Sequence, residues 1–297
     1  AAPSLLLSSL STSNTPISSH HNTSEEEAWS ETSGDTVDSW GSAGTRVGAE
    51  QEQDLVVNYE DQIIQSIEDL EEKRTSKREE ALTKLIRLLS HRYAAEVLES
   101  RSQTLLDLLN RSVKKTKSYT ENRLAAKVMS LLFITLGEGQ EAMFYDILEL
   151  FKYTITNNAS TEVKSECINT LGLACFIAAS NKDALELLDF FYNIISSNAK
   201  NIHAVNDPAS LTSALNAHGL LYAGLWGDYR ESKSSSSSGP RAQFERIMPT
   251  LMRQLESTIM EVRVASGENI ALMFDILGIG VLLVLSEDSN NDGAALW

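Results

Sequence analysis

The feature that most constrains this chain is a short pattern that recurs after residue 54. A basic residue is followed three positions later by a small residue and then by an apolar stretch, as in Arg78 with Ala81 and Leu85. Copies begin at residues 78, 123, 164 and 263, with a degenerate copy near 211, so the intervals are about 45, 41, 47 and 52 residues. The last interval includes the serine-rich tract 234–240, and without those seven residues it is also about 45. Intervals of about 40 to 47 residues are typical of HEAT and armadillo units.

Apolar residues at helical spacing predict where the helices lie. They indicate helices over residues 55–73, 76–90, 102–114, 119–136, 140–157, 161–180, 182–198, 208–227, 241–256 and 260–278, with a short turn near 94–99. The small residue of the repeat lets stacked helices approach closely. We therefore predict an all-α, armadillo/HEAT-like right-handed α-solenoid of about five helix pairs. The alternative is an irregular helical bundle whose spacing is coincidental.

The composition divides the chain into three parts. Residues 1–53 are rich in Ser, Thr and acids, which predicts a disordered N-terminal arm, because such a segment buries too little apolar area to offset its ordering entropy. Residues 54–285 form the predicted repeat domain, with a flexible insertion over 231–240, and residues 286–297 form an acidic disordered tail. Trp29 and Trp40 are either docking motifs within the arm or idle exposed aromatics.

The charge of the chain is unevenly distributed. With 25 basic and 41 acidic residues, the net charge of −16 argues against a general nucleic-acid coat. The stretch from Lys73 to Lys127, however, contains fourteen basic and six acidic residues, a local charge of +8. This stretch is either a binding face for phosphates or acidic partners, a solvated helix surface, or an internal dock for the acidic arm. The residues of the predicted binding face are Lys73, Arg74, Lys77, Arg78, Arg111, Lys114, Lys115, Lys117, Arg123 and Lys127.

No set of residues has the spacing of a catalytic or metal site. The five histidines are scattered, and His218 in an apolar segment is predicted to pack in a helix rather than bind a metal. Cys167 and Cys175 lie eight apart in an apolar run, which predicts two packed thiols. The most apolar stretch, residues 276–285, is shorter than the ~20 residues that span a bilayer. We expect no cofactor, no small-molecule substrate, no membrane partner, and a location in nucleus and cytoplasm.

Three stretches carry a family resemblance. They are Glu-Asn-Arg-Leu-Ala-Ala leading into Leu-Leu-Phe-Ile-Thr-Leu-Gly within 121–137, Cys-Ile-Asn-Thr-Leu-Gly-Leu-Ala-Cys-Phe-Ile-Ala-Ala at 167–179, and Val-Arg-Val-Ala-Ser-Gly-Glu-Asn-Ile-Ala-Leu-Met-Phe at 262–274. Over about residues 54–277 the chain resembles the N-terminal domain of the interferon-related developmental regulator family. The last stretch is the most specific, because its Arg, small, Gly-Glu and Ile-Ala-Leu elements occur together in order.

The resemblance implies an armadillo-like fold, no enzymatic activity, and a role in controlling gene expression. Members of the family are associated with transcriptional co-regulation through corepressor complexes and with binding to translationally inactive ribosomes. The family supplies no catalytic residues to transfer. The first hypothesis is a transcriptional co-regulator that docks protein partners on the second helix of each pair. The alternative is a translational regulator whose basic first repeats contact the ribosome or its RNA.

Overall fold

The computed structural model describes residues 49–115, 118–205, 207–227 and 239–279, which all lie in one unit, Val47–Trp297. Within these residues the chain is helical and contains no strand. Besides the 3-10 helix Lys200–Ile202, the elements are α1 (Ala49–Asp69), α2 (Thr75–His91), α3 (Ala95–Glu99), α4 (Ser102–Lys114), α5 (Tyr119–Leu136), α6 (Glu141–Asn157), α7 (Thr161–Ala178), α8 (Asn181–Ser196), α9 (Pro208–Trp226), α10 (Pro240–Gln254) and α11 (Met260–Leu277).

The helices form five pairs: α1 with α2, α4 with α5, α6 with α7, α8 with α9, and α10 with α11. The second helix of each pair packs on the second helix of the next, which gives a continuous column in the order α2, α5, α7, α9, α11. The first helices meet less extensively, α4 with α6 and α8 with α10. This arrangement is the all-α armadillo-like solenoid that the repeat predicts.

The predicted helix boundaries agree with the observed ones to within two residues except at the first helix. Helix α1 begins at Ala49, so residues 49–53 of the predicted disordered arm are helical, and it ends at Asp69 rather than at residue 73. Glu71 and Glu72 explain the earlier end, because negative charge is unfavourable at a helix C-terminus. The predictions for residues 1–48, for most of the insertion 231–240 and for residues 280–297 lie outside the described residues.

Side-chain N-caps mark the start of several helices. Ser118, Ser160, Ser180 and Asp207 each precede a helix and accept a hydrogen bond from the backbone N–H three residues later. Such caps satisfy N–H groups that the helix itself leaves unpaired. The short connections between helices are therefore set by local sequence.

Burial corrects the register of the repeat by one residue in two copies. In α2 the positions 78, 81, 82 and 85 are buried, and the matching buried sets are 122, 125, 126, 129; 164, 167, 168, 171; 211, 214, 215, 218; and 262, 265, 266, 269. The starting positions are thus 78, 122, 164, 211 and 262. Arg123 and Arg263, predicted as starting positions, are exposed, because each lies one residue beyond the buried stripe of its helix.

The first buried position of a second helix commonly carries a polar side chain that binds backbone carbonyls of the preceding segment. Arg78 donates to the carbonyls of Glu72 and Lys73 at 2.8 and 2.9 Å. Asn122 donates to three carbonyls at the end of α4, at 2.6 to 2.8 Å. Lys164 donates to the carbonyl of Thr156 in α6 and also to the carbonyl of Ile202, which lies between α8 and α9. Most of these carbonyls lie at or just beyond the end of the preceding helix, where backbone groups are left unpaired, so the side chains close the turn within these three pairs.

Small residues allow the second helices to stack. The prospective Cβ of Gly172 in α7 would lie 2.7 Å from the Cβ of Ala217 in α9 and 3.3 Å from its Cα. Any side chain at residue 172 would push the two helix backbones apart.

Cys167 and Cys175 are buried in the same helix, as predicted, and burial raises the pKa of both thiols, that of Cys175 to about 12.

His218 is fully buried in α9, which confirms its prediction as a packed residue. Its ring stacks on Tyr222 at 6.5 Å between centroids, and neither ring nitrogen has a hydrogen-bond partner in the described part of the chain. Burial lowers the pKa of His218 to about 4, an effect larger than the opposing influence of the nearby Asn269 amide. The imidazole is therefore neutral at neutral pH.

The free energy of unfolding is expected to decrease as the pH falls from 6.5 to about 4, because only the unfolded chain then binds a proton at His218. The full difference corresponds to about 3 kcal/mol. Urea unfolding across this pH range should show the loss in the unmodified chain and a smaller one in His218→Gln, whose side chain does not titrate. If both proteins lose the same stability, protonation of His218 does not contribute to the loss.

Candidate functional site

The residues of the predicted basic face divide into exposed and buried groups. Arg78 is buried, Lys115 is half-buried, and Lys117 lies outside the described residues. The other seven are exposed: Lys73, Arg74, Lys77, Arg111, Lys114, Arg123 and Lys127. The structure therefore does not present all ten side chains on one surface.

Arg78 belongs to a buried ion pair, which corrects its assignment to a binding face. Its Nε and Nη2 donate to the two carboxylate oxygens of Glu121, each at 2.7 Å. The side chains of Arg78 and Glu121 are only 6% and 1% exposed. Because both charges are paired and the guanidinium also binds two carbonyls, this pair joins α2 to the start of α5 rather than binding a partner.

Glu121 is the acceptor for two cations. Burial raises its carboxyl pKa, but hydrogen bonds from Arg78 and Lys115 outweigh burial and hold the pKa below its usual value. Lys115 Nζ lies 3.1 Å from the carboxylate. The sequence does not predict that Glu121 pairs with Arg78, although its position three residues after Ser118 and before a long apolar run marks the first turn of a helix.

An open cleft of about 510 Å³ lies beside this ion pair. Arg111 positions one wall, since its Nη2 donates to the carbonyl of Leu70 at 3.2 Å. The cleft, here called the mixed-charge cleft, is lined by Glu71, Glu72, Lys73, Thr75, Arg78, Arg111, Lys115 and Glu121. Three carboxylates offset its four cations, so the exposed cations around it, rather than its interior, are the groups available to a phosphate.

The remaining cations lie elsewhere. Lys77 pairs with Glu80 at 2.9 Å on the surface of α2. Arg123 and Lys127 lie on the exposed side of α5 and are not part of the mixed-charge cleft; Lys127 is 3.9 Å from Glu166 of α7. The +8 charge of the sequence is thus distributed over two separate surfaces.

The second of these surfaces, here called the second-helix face, is the exposed side of the stacked second helices. Several large apolar side chains are exposed on it: Ile134 is 53%, Phe176 48% and Val264 51% exposed. Its members are Arg123, Lys127 and Ile134 on α5, Asn169 and Phe176 on α7, Asn216 on α9, and Val264 and Glu268 on α11. The sequence predicts a docking face on the second helices but not these residues, because their exposure depends on how the second helices stack.

In the part of the chain that the structure describes, no three His, Cys, Asp or Glu side chains are arranged to hold a metal ion. No helix within the described ranges is long and apolar enough to cross a bilayer.

Comparison with known proteins identifies the family. The family model for the interferon-related developmental regulators matches residues 16–291. The chain belongs to this family. The expected resemblance is thereby confirmed, and it extends further at both ends than the range 54–277 on which it was based.

Two relatives illustrate how far this family member diverges. Interferon-related developmental regulator 2 of Mus musculus is 31% identical over 229 residues, covering 76% of this chain and 51% of the relative. Interferon-related developmental regulator 1 of Homo sapiens is 28% identical, covering 69% of this chain and 45% of the relative. The chain therefore spans about half the length of these relatives.

Solved structures are more distant from this family member. A designed armadillo repeat protein is 13% identical, with a TM-score of 0.41, and the match covers 70% of this chain and 98% of that chain. A second engineered protein is 12% identical, with a TM-score of 0.44 and coverage of 72% and 97%.

The buried ion pair of this family member gives a stability prediction. Glu121→Gln is expected to lower the free energy of unfolding by about 3 kcal/mol, because it leaves the buried Arg78 without its counter-ion. Chemical denaturation measures the change. Glu80→Gln is the matched control: it removes an exposed pair, 57% and 70% exposed, and should change stability by less than about 0.5 kcal/mol. Equal effects of the two substitutions would contradict a special role for Glu121.

Proposed function

We propose that this chain is a non-enzymatic scaffold that regulates gene expression by docking protein partners, most simply transcriptional co-regulatory complexes, on the second-helix face. The exposed apolar side chains Ile134, Phe176 and Val264 carry the proposal. Scattered apolar residues are ordinary on a protein surface, but these recur on helices that pack in one column. The regulatory part of the proposal rests on family membership.

The chemistry of the buried groups supports a binding role. The thiols of Cys167 and Cys175 are the most nucleophilic side chains available, and burial keeps both protonated. His218 is enclosed in the core and has no access to a substrate. A scaffold in the nucleus and cytoplasm needs none of these groups at its surface.

A transcription reporter tests this function. The chain is fused to a DNA-binding module upstream of a reporter, and we expect transcription to change relative to the module alone. Ile134→Asp with Phe176→Asp should abolish the response, because a buried carboxylate is unfavourable in an apolar interface. Tyr153→Asp on α6, 68% exposed, is the matched control and should retain it. No response of the unmodified fusion, or an equal loss in the control, would reject the proposal.

A second candidate function is binding to the ribosome or its RNA through the first repeats. Two exposed cations favour it: Lys73, which lines the mixed-charge cleft, and Lys114, which directly precedes the cleft residue Lys115. Neither is paired with an acid within the described residues. Phosphate contacts of this kind release counter-ions, so binding weakens as salt is added.

Sedimentation with purified ribosomes tests the second candidate. We expect co-sedimentation at low salt that decreases with added salt and is reduced about tenfold by Lys73→Glu with Lys114→Glu. The control carries the same charge change elsewhere, Lys182→Glu with Arg241→Glu, at side chains 85% and 82% exposed. Absence from ribosomal fractions at low salt, or equal loss in both variants, rejects ribosome binding through the first repeats without affecting the docking proposal.

A further inference from the structure

A row of exposed polar side chains crosses the second-helix face. Its members occur once per helix, at offsets of 42, 47 and 52 residues, and are Lys127 on α5, Asn169 on α7, Asn216 on α9 and Glu268 on α11. Contacts between the helices have closely similar offsets. Ser165 and Ser213, 48 residues apart, share a hydrogen bond of 2.8 Å, and Gly219 lies against Asn269, 50 residues away. The four polar residues therefore lie side by side on neighbouring helices.

The two amides in the middle of the row have unused hydrogen-bonding capacity. Asn169 and Asn216 are exposed, and neither side chain has a hydrogen-bond partner within the described residues. A primary amide offers two donors and an acceptor, which match the N–H and C=O groups of a peptide backbone. A helix pairs those groups internally, whereas an extended chain leaves them available. The amides thus favour an extended ligand over a helical one.

A parallel row of leucines lies one helical turn further along. Leu131, Leu173, Leu220 and Leu272 repeat the offsets of 42, 47 and 52 residues, and each is half-buried. Packed helices lie about 8 to 10 Å apart. In a polyproline II segment every third side chain points the same way, at about 9.3 Å. An extended peptide with an apolar residue at every third position therefore matches the leucine row.

A pocket of about 450 Å³ adjoins the polar row, one turn before the two asparagines. The hydroxyl oxygen of Thr212 at this pocket is buried and has no hydrogen-bond partner among the described residues. The pocket is lined by Ser165, Pro208, Ala209, Thr212, Ser213 and Glu261. Its hydroxyls and the Glu261 carboxylate accept hydrogen bonds from a cation, while Pro208 and Ala209 provide apolar contact for the stem. A lysine or arginine side chain has both properties.

The charges at the two ends of the face differ in sign. Arg123 and Lys127 are exposed on α5, whereas Glu261 and Glu268 are exposed on α11. Arg263, the cation of α11, donates to the carbonyl of Ser257 at 2.8 Å. A ligand with an acidic end and a basic end is therefore held in one direction along the column.

We propose that the second-helix face binds an extended segment of a protein partner, with backbone groups on Asn169 and Asn216, apolar side chains on the leucine row, and a basic residue in the pocket beside Glu261. This rests on the proposed docking function and specifies its ligand. Crossing from α5 to α11 requires about ten residues at 3.1 Å each.

Selection from a random peptide library tests the ligand. A phage-displayed library of linear peptides is panned against the whole chain, and binding of the enriched synthetic peptide is measured by fluorescence anisotropy. Asn169→Ala with Asn216→Ala should weaken binding at least about tenfold, because each amide loses hydrogen bonds to the peptide. Asn193→Ala is the matched control, an exposed asparagine on a first helix, α8, and should bind normally.

Charge exchange tests the direction. Lys127→Glu and Glu268→Lys should each weaken binding about threefold or more, and the double variant should prefer a peptide whose terminal charges have been exchanged.

The proposal is overturned if no enriched peptide depends on both amides, or if the bound peptide is helical by circular dichroism. The docking function has a separate outcome. A reporter response that requires Ile134 and Phe176 but is unchanged by substitution of Asn169 and Asn216 would mean that a folded partner surface docks on the second-helix face instead.

Discussion

The close packing of successive second helices is the constraint on which the rest of the structure depends. Gly172 of α7 lies against Ala217 of α9 so tightly that no side chain fits between them. Small buried residues also lie three positions after the start of the other copies, such as Ala81, Ala125 and Ala214. Each pair has too small a core to be stable alone, so stacking buries what one pair leaves exposed. In this column, one side of the second helix of each pair remains exposed to solvent.

Polar groups make this stacking specific. Arg78, Asn122 and Lys164 occupy the same buried position in three pairs, and each binds a carbonyl at or just beyond the end of the preceding helix. Replacing such groups with apolar ones would leave the carbonyls buried without partners, which is costly. The same position thus combines burial with closure of the turn, and the Arg78–Glu121 ion pair also links the first repeat to the second.

The location of the candidate site could be predicted from the sequence, but the residues that form it could not. The positive charge of residues 73–127 is a property of the sequence, yet folding buries Arg78 and divides the exposed cations between the mixed-charge cleft and α5. The net charge of a sequence segment does not show which cations pair with acids such as Glu121 and Glu166. Asn169 and Asn216 were missed because an asparagine within an amphipathic helix has no distinctive sequence pattern.

The sequence by itself determined the helices, the repeat and the family, because helical periodicity and cap residues such as Ser118 and Ser160 are local properties of the chain. Only the tertiary structure decided the register of the repeat and the surfaces. Asn122 rather than Arg123 starts the second copy, since burial depends on where the neighbouring helices lie. Residues 40 to 50 positions apart become neighbours only when helices stack, and the contacts between them decide which side chains remain available to a partner.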